Sequence, residues 1–264
     1  MNNRIAVITL ADAAREHRVH TQQECLRRWG GYPLMHYRAV VGVDRNLSRA
    51  RNSGAQAALD DGADQLIFLD ADCLPGPSAV SGYVRAMQLH PEGVLAGPVT
   101  YLKPPGEGGY DLESLTSLTD PHPARPAPPA GEIVAGEASQ WPLFWSLSFA
   151  LTARTWQRIG GFNEEFTGYG GEDTDFAFRA RQTGHTLYWV GGAHAYHQWH
   201  PVSSPPVEHV DDIVANAQLF HSLWGEWPME GWLRAFEERG LVEFRDSTWR
   251  RIAPTKQQTQ QPSH

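Results

Sequence analysis

Short apolar runs alternate along the chain with longer segments of helical spacing. Residues 4–10, Arg-Ile-Ala-Val-Ile-Thr-Leu, are compact and β-branched, which predicts a buried strand. Residues 12–29 place Val19, Leu26 and Trp29 on one side, with Asp12 as candidate cap and Gly30-Gly31 as the stop, which predicts a helix. Residues 35–43 predict a second strand ending at Asp44; Asn46 and Ser48 then open a helix over 48–61 that stops at Gly62. Residues 65–69 predict a third buried strand running directly into Asp70-Ala71-Asp72, followed by a helix over 77–89 and a strand over 93–99. This alternation predicts an α/β fold with a mostly parallel central sheet flanked by helices. In such sheets ligands gather beyond the carboxyl ends of the strands. Thr9, Asp44, Asp70 and Asp72 are expected there.

The pattern changes over 103–136, where Pro and Gly dominate and Pro121-His122-Pro123-Ala124-Arg125-Pro126 forms the centre. Such a stretch cannot be a helix or an inner strand. It is expected to be a flexible loop, serving either as a lid over the site or as a passive insertion. Helices are predicted over 153–159 and from Glu172 to about 182, a strand over 185–190, and helices at 207–224 and 229–239. The polar tail 253–264 is expected to be disordered.

Composition narrows the function classes. A length of 264 residues suits one large domain or two small ones. No apolar run reaches the roughly 18 residues of a transmembrane helix, and the N-terminus lacks signal-peptide architecture. Peripheral contact with a membrane stays open. Cys25 and Cys73, in different contexts, do not suggest a disulfide framework, so a cytoplasmic location is expected. The net charge of −8 excludes nucleic acid as a main partner. A small anion is compatible with it where a metal ion supplies the countercharge. Ten tryptophans leave stacking on a sugar ring open beside ordinary core filling.

Three groups of residues carry candidate chemistry. In Tyr169-Gly170-Gly171-Glu172-Asp173-Thr174-Asp175 the acids fall in the first turn of a helix, where orphan N–H groups and the helix dipole stabilise negative charge. A carboxylate held ionised in this way suits a general base; a capped surface helix is the plainer alternative. Asp70 and Asp72, two apart at a strand end, would face one cleft in an extended chain, an arrangement that favours a shared cation such as Mg²⁺ or Mn²⁺. His194, His197 and His200 recur every three residues, so only one or two can point at such an ion. Arg49 and Arg51 open a helix that could receive a phosphate, Arg49 being read as a solvated face.

These stretches resemble glycosyltransferases of the GT-A fold, family 2-like, with a galactosyltransferase C-terminal region as in β-1,4-galactosyltransferases and bacterial chondroitin polymerases. Leu47-Ser48-Arg49-Ala50-Arg51-Asn52-Ser53-Gly54 is similar to the family's segment after the second strand. Phe68-Leu69-Asp70-Ala71-Asp72 resembles its DxD motif, Gly161-Phe162-Asn163-Glu164-Glu165-Phe166 with Gly170-Gly171-Glu172-Asp173 its "GGFDE-F…GGED" run, and Ala195-Tyr196-His197-Gln198 its late metal-binding histidine. The resemblance implies a donor that is a nucleoside diphosphate sugar, a UDP-sugar by the family's habit, and a hydroxyl acceptor such as a glycan, a lipid-linked sugar or a small molecule. It implies Mn²⁺ or Mg²⁺ held by Asp72 and His197, with Asp70 at the metal shell or the ribose. Asp44 would meet the nucleotide base, with Thr9 and Arg51 nearby. Asp173 would be the catalytic base of an inverting transfer, Glu172 would hold the acceptor, and Asp175 would have a supporting part.

Ser146-Leu147-Ser148 stands where the family often has Gly-Gly-Asn, and Tyr169 where many relatives have Trp. The expected organisation is a single domain over 1–252: a nucleotide-binding half over 1–100, the loop 103–136, an acceptor and metal half over 137–205, and C-terminal helices over 206–240. Two other classes compete. A non-catalytic nucleotide-sugar-binding protein is disfavoured by the intact Glu172-Asp173 pair. A nucleotidyltransferase is disfavoured because residues 10–18 contain no glycine.

Overall fold

The computed structural model describes residues 4–12 and 15–252. Contacts divide the chain into two compact units: Met1–Thr167 with Glu172–Pro201, and Gly168–Gly171 with Val202–His264.

The first unit is a three-layer α/β structure. In order it contains β1 (Ile5–Ala11), α1 (Glu16–Trp29), β2 (Leu34–Val40), α2 (Leu47–Asp60), β3 (Gln65–Asp70), β4 (Cys73–Pro75), α3 (Ala79–Leu89), β5 (Gly93–Ala96), β6 (Val99–Tyr101), β7 (Ile133–Ala135), β8 (Ser148–Thr152), α4 (Ala153–Ile159), α5 (Glu172–Gln182), β9 (Thr186–Val190) and β10 (Ala195–His197). The main sheet has the order β2-β1-β3-β8-β5-β9-β7. Strands β2, β1, β3, β5 and β9 run one way, and β8 and β7 run against them.

Every residue of β1 is buried. Ala6, Ile8 and Leu10 enter one core layer, Ile5 and Val7 the other. A strand covered on both faces reads as a continuous apolar run rather than an alternating one, which is why residues 4–10 and 65–69 stand out in the sequence. Ala50, Ala55 and Ala58 of α2 and Phe176, Ala177 and Ala180 of α5 fill the first layer. Val80, Tyr83, Val84 and Met87 of α3, with Leu26 of α1, fill the second. Gly54 sets the approach of α2 to the sheet: a Cβ there would lie 2.8 Å from Ile8 Cγ2 and 3.2 Å from Ala39 Cβ.

The single strand expected over 93–99 is two strands. Gly97-Pro98 interrupts it, since Pro98 has no N–H to give a ladder. β6 therefore leaves the main sheet and joins a smaller one of order β4-β10-β6. The segment 103–136 carries order that its composition does not announce. Leu112 and Leu115 are buried beside Cys25, Leu74, Leu102 and Tyr196. β7 pairs antiparallel with β9 at the sheet's edge, where a Pro/Gly-rich segment is tolerated.

The second unit packs α6 (Val210–Trp224) and α7 (Glu230–Glu238) with a hairpin of β11 (Val242–Arg245) and β12 (Thr248–Arg251). Ile213, Ala217, Leu233, Phe236, Val242 and Trp249 form its core. Asp246 and Ser247 make the two-residue turn, both at positive φ (51° and 58°). Among the described residues no helix is long and apolar enough to cross a membrane. The tail 253–264 lies outside the described residues, as do residues 13–14 of the helix expected over 12–29.

Candidate active site

The site is built at the end of β3, where the chain turns through Ala71-Asp72 into β4. Strand β10 runs antiparallel to β4 and sets His197 opposite Cys73, and the Gln198 N–H donates to the Asp72 carbonyl (2.7 Å). Sheet topology thus delivers a histidine from far along the chain to the carboxylate. His197 Nε2 is 3.6 Å from Asp72 Oδ1, and His200 Nε2 is 3.8 Å from Oδ2. One ligand atom from each of Asp72, His197 and His200 lies within 4.8 Å of the others. Asp72 is 3% exposed. Burial holds the His197 imidazole below its ordinary pKa although Asp72 pulls the other way, which favours the neutral, ligating form. Tyr101 stacks on that ring with centroids 4.5 Å apart and fixes its plane.

One carboxylate oxygen and two imidazole nitrogens fit a divalent transition ion, and suit Mn²⁺ better than the oxygen-preferring Mg²⁺. Cys73 adds no thiolate, because burial pushes its pKa well above the ordinary value. His194 is engaged elsewhere. Its Nε2 bonds Thr100 Oγ1 at 2.7 Å, and burial lowers its pKa to about 4.

Asp70 does not share this cluster. The turn at Ala71-Asp72 ends the extended geometry under which positions i and i+2 face alike, so the two carboxylates take different partners. Arg51, 2% exposed, sets one amino group 3.0 Å from Asp70 Oδ1 and the other 3.5 Å from Glu172 Oε1. Helix α5 begins at Glu172, with Glu172, Asp173 and Asp175 in its first turn. The chain enters it through Gly170 and Gly171 at φ +90° and +93°, a region that side chains other than glycine rarely adopt.

The helix start does not keep Glu172 and Asp173 at ordinary pKa values, because desolvation outweighs it. Burial, then the Asp173 charge, pushes Glu172 up to about 7 against the pull of Arg51. Burial also raises Asp173, opposed by the Thr174 N–H (2.8 Å) and by the charges of Arg51 and Arg125. Asp70 is raised by burial and held down chiefly by Arg51. Asp175 is nearly inaccessible and pairs with Arg179 (2.8 Å), which donates to the carbonyls of Ile159 and Gly161.

The described fold superposes on the structure of S. aureus TarS with a TM-score of 0.55 at 12% identity, covering 89% of this chain and 42% of that one. The fold is GT-A. The sequence carries the same likeness. Chondroitin synthase of Escherichia coli is 29% identical over 215 residues, 74% of this chain and 30% of that protein. Validoxylamine A glucosyltransferase of Streptomyces hygroscopicus subsp. jinggangensis (strain 5008) is 33% identical over 154 residues, 52% of this chain and 36% of that protein. The chain thus spans about a third of the length of these relatives. The family described as the N-terminal domain of galactosyltransferase matches residues 135–201, a stretch that includes Glu172, Asp173 and His197 and stops short of the Asp70/Asp72 motif. The resemblance to galactosyltransferases and chondroitin polymerases is therefore found in the chain's relatives as well as in its motifs.

The remaining expected residues occupy different places in this GT-A frame. Thr9 is 6% exposed, and its hydroxyl donates to Gln22 Oε1 (2.7 Å). Gln22 Nε2 in turn donates to the carbonyls of Asp70 (2.7 Å) and Cys73 (2.8 Å). Thr9 and Gln22 thereby brace the turn that carries both aspartates. Asp44 lies in an exposed loop with Oδ2 2.7 Å from Arg49, whose Nε reaches Glu164 at 3.3 Å.

Two further features have no local sequence signal. Asn52 ties α2 to the glycine-rich run, donating to the Phe162 carbonyl (2.9 Å) and accepting from its N–H (2.8 Å). Arg125, from the proline-rich segment, lies face-on over Trp145 with Cζ 3.4 Å from the ring centroid. Burial lowers its pKa to about 10, and the Asp173 charge opposes that shift.

Proposed function

We propose that this chain is an inverting, metal-dependent glycosyltransferase that moves a sugar from a nucleoside diphosphate sugar, a UDP-sugar in the first instance, to a hydroxyl acceptor. The observation that carries this reading is the pairing of an Asp72–His197–His200 triad with a partly buried acid group of Asp70, Glu172 and Asp173. The names of the relatives, a chondroitin synthase and a glucosyltransferase, support sugar transfer.

Asp72, His197 and His200 would hold Mn²⁺. When bound, the ion supplies a Lewis acid that offsets charge on the departing diphosphate. Asp173 takes the proton of the acceptor hydroxyl as that oxygen attacks the anomeric carbon opposite the leaving group, so the configuration inverts. Its raised pKa makes it a stronger base at pH values where it is ionised. Glu172, held by Arg51, fixes the acceptor by a hydrogen bond. Arg51 keeps Asp70 and Glu172 from repelling one another and leaves Asp72 available to the ion. Asp44 serves the nucleotide base at the exposed end of the donor site.

A thermal-shift screen of nucleotide sugars with and without Mn²⁺ tests this reading, because a ligand that binds only the folded state raises its stability. At a hundredfold excess over Kd the expected stabilisation is about 2.7 kcal/mol. It should require Mn²⁺ and disappear in Asp72→Ala. A panel of UDP-sugars that leaves the melting temperature unchanged with Mn²⁺, together with absent donor hydrolysis, would overturn it.

A further inference from the structure

Of the two histidines in the triad, only His197 lies on a strand. Strand β10 pairs with β4 on one side and β6 on the other, and the His197 carbonyl accepts from the Leu102 N–H (2.9 Å). The strand ends there, and residues 199–201 have no regular structure. His200 must nevertheless face Asp72, with Nε2 3.8 Å from Oδ2. Its own ring bond reaches only the next residue: Nδ1 donates to the Pro201 carbonyl at 3.3 Å. A carbonyl can only accept, so that bond leaves the Nε2 lone pair free for an ion. It does not tie the backbone of this stretch to the fold. The Trp199 ring, 44% exposed, is not an anchor either.

Two contacts reach the Trp199 backbone from elsewhere. An Arg18 nitrogen lies 3.5 Å from the Trp199 carbonyl, at the far limit of a hydrogen bond. The Trp199 N–H donates to the Tyr110 hydroxyl at 2.9 Å. Among the described residues this is the one short hydrogen bond between residues 199–200 and a distant part of the chain. The hydroxyl is itself held. It donates its proton to the Lys103 carbonyl (2.9 Å), which leaves its lone pairs for the Trp199 N–H. The Tyr110 ring packs on the cluster that contains Leu102, Leu112 and Tyr196. A tight turn closed by the Gly109 N–H and the Gly106 carbonyl (3.0 Å) comes directly before it. The family match begins at residue 135, so Tyr110 belongs to a part of the chain outside it.

We infer that Tyr110 is a positioning residue for the metal site: its hydroxyl fixes the Trp199 backbone so that His200 is aimed at Asp72. The inference rests on the metal-dependent reading above and deepens it, since it makes the Pro/Gly-rich segment part of the site's frame. The alternative is that this bond only fastens residues 103–136 to the fold.

Tyr110→Phe removes one oxygen and keeps the ring, and two measurements on it separate these. The first needs no metal. In nitrogen-15 NMR spectra of the imidazoles, the His200 resonances should move or broaden, while those of buried His194, bonded to Thr100, stay in place. The second is a Mn²⁺ titration followed by electron paramagnetic resonance, with and without UDP and with free Mn²⁺ corrected for its complex with UDP. Partners that orient a metal ligand typically contribute about 10- to 100-fold in affinity, and Tyr110→Phe should weaken Mn²⁺ binding by that factor. Unchanged His200 resonances, equal disturbance of His194, or a Mn²⁺ affinity within about twofold of the unaltered chain would each overturn the inference and leave the metal site standing. Absence of Mn²⁺ binding in the unaltered chain, with or without UDP, would overturn the metal-dependent reading and this inference with it.

Discussion

Asp70 and Asp72 are separated by one alanine and have different company. Asp72 faces two imidazoles and two arginines that do not hydrogen-bond to it. Asp70 is bonded to Arg51, which also neighbours Glu172. On the first side the histidines can give their lone pairs to an ion, so the carboxylate's countercharge is replaceable. On the second side the countercharge is a buried guanidinium fixed by the chain, and no ion is needed. The two clusters thus differ in their partners more than in their carboxylates, and it is the partners that separate the proposed metal site from the proposed acid–base site.

The sharpest way to break this comparison is Asp173→Asn. If Asp173 is the base, sugar transfer should fall by about 10²- to 10⁴-fold, the usual contribution of a positioned proton acceptor. Mn²⁺-dependent affinity for UDP, measured by calorimetry, should stay near that of the unaltered chain. A parallel loss of affinity would mean that the two clusters are not separable. Next in size is Arg51→Met. It strands Asp70 and Glu172 in the interior without their cation, and breaking a buried pair from one side typically costs about 3–5 kcal/mol. Urea unfolding should show that loss. A cost under about 1 kcal/mol, the size expected of an exposed pair, would show that water reaches these acids and that Arg51 is dispensable.

What could be read in the sequence follows from what local rules record. Strands β1 and β3 were legible because burial on both faces leaves an unbroken apolar run. The acids of α5 were legible because a glycine pair followed by carboxylates marks a helix start. His197 beside Asp72 came from the order of motifs, since no periodicity joins residues so far apart. His200 stood among three candidate histidines that spacing alone could not separate, while Gln22, Arg15 and Arg18 stayed hidden: these residues are gathered when β10 inserts between β4 and β6 and when α1 packs beside the turn after β3. The reading of Asp70 and Asp72 as one pair used a strand rule beyond the strand's last residue. The hairpin at 242–251 gave no turn signal, because Asp246-Ser247 lacks the glycine that marks such turns. Strand β7 was masked by its proline-rich surroundings and survives as an edge.

The smallest expected effect is also the one whose sign is most diagnostic. Burial and Asp173 raise Glu172 to about 7 in the folded chain, whereas in the unfolded chain it titrates near an ordinary carboxylate value. Between those limits the native state holds more protons than the unfolded state, so stability falls as pH rises through the window and levels off above it. Glu172→Gln removes that titration. Relative to the unaltered chain it should therefore gain stability from pH 5 to pH 8, by up to about 3 kcal/mol for a shift of this size. The Asp70 and Asp173 charges both act on Glu172, so the pH-dependent difference belongs to the acid group as a whole and not to Glu172 alone. Urea unfolding at the two pH values measures it. A difference that does not change with pH would mean that Arg51 neutralises Glu172 fully. The second cluster would then be a charge-balanced ion pair, and the contrast with the Asp72 site would rest on the histidines alone.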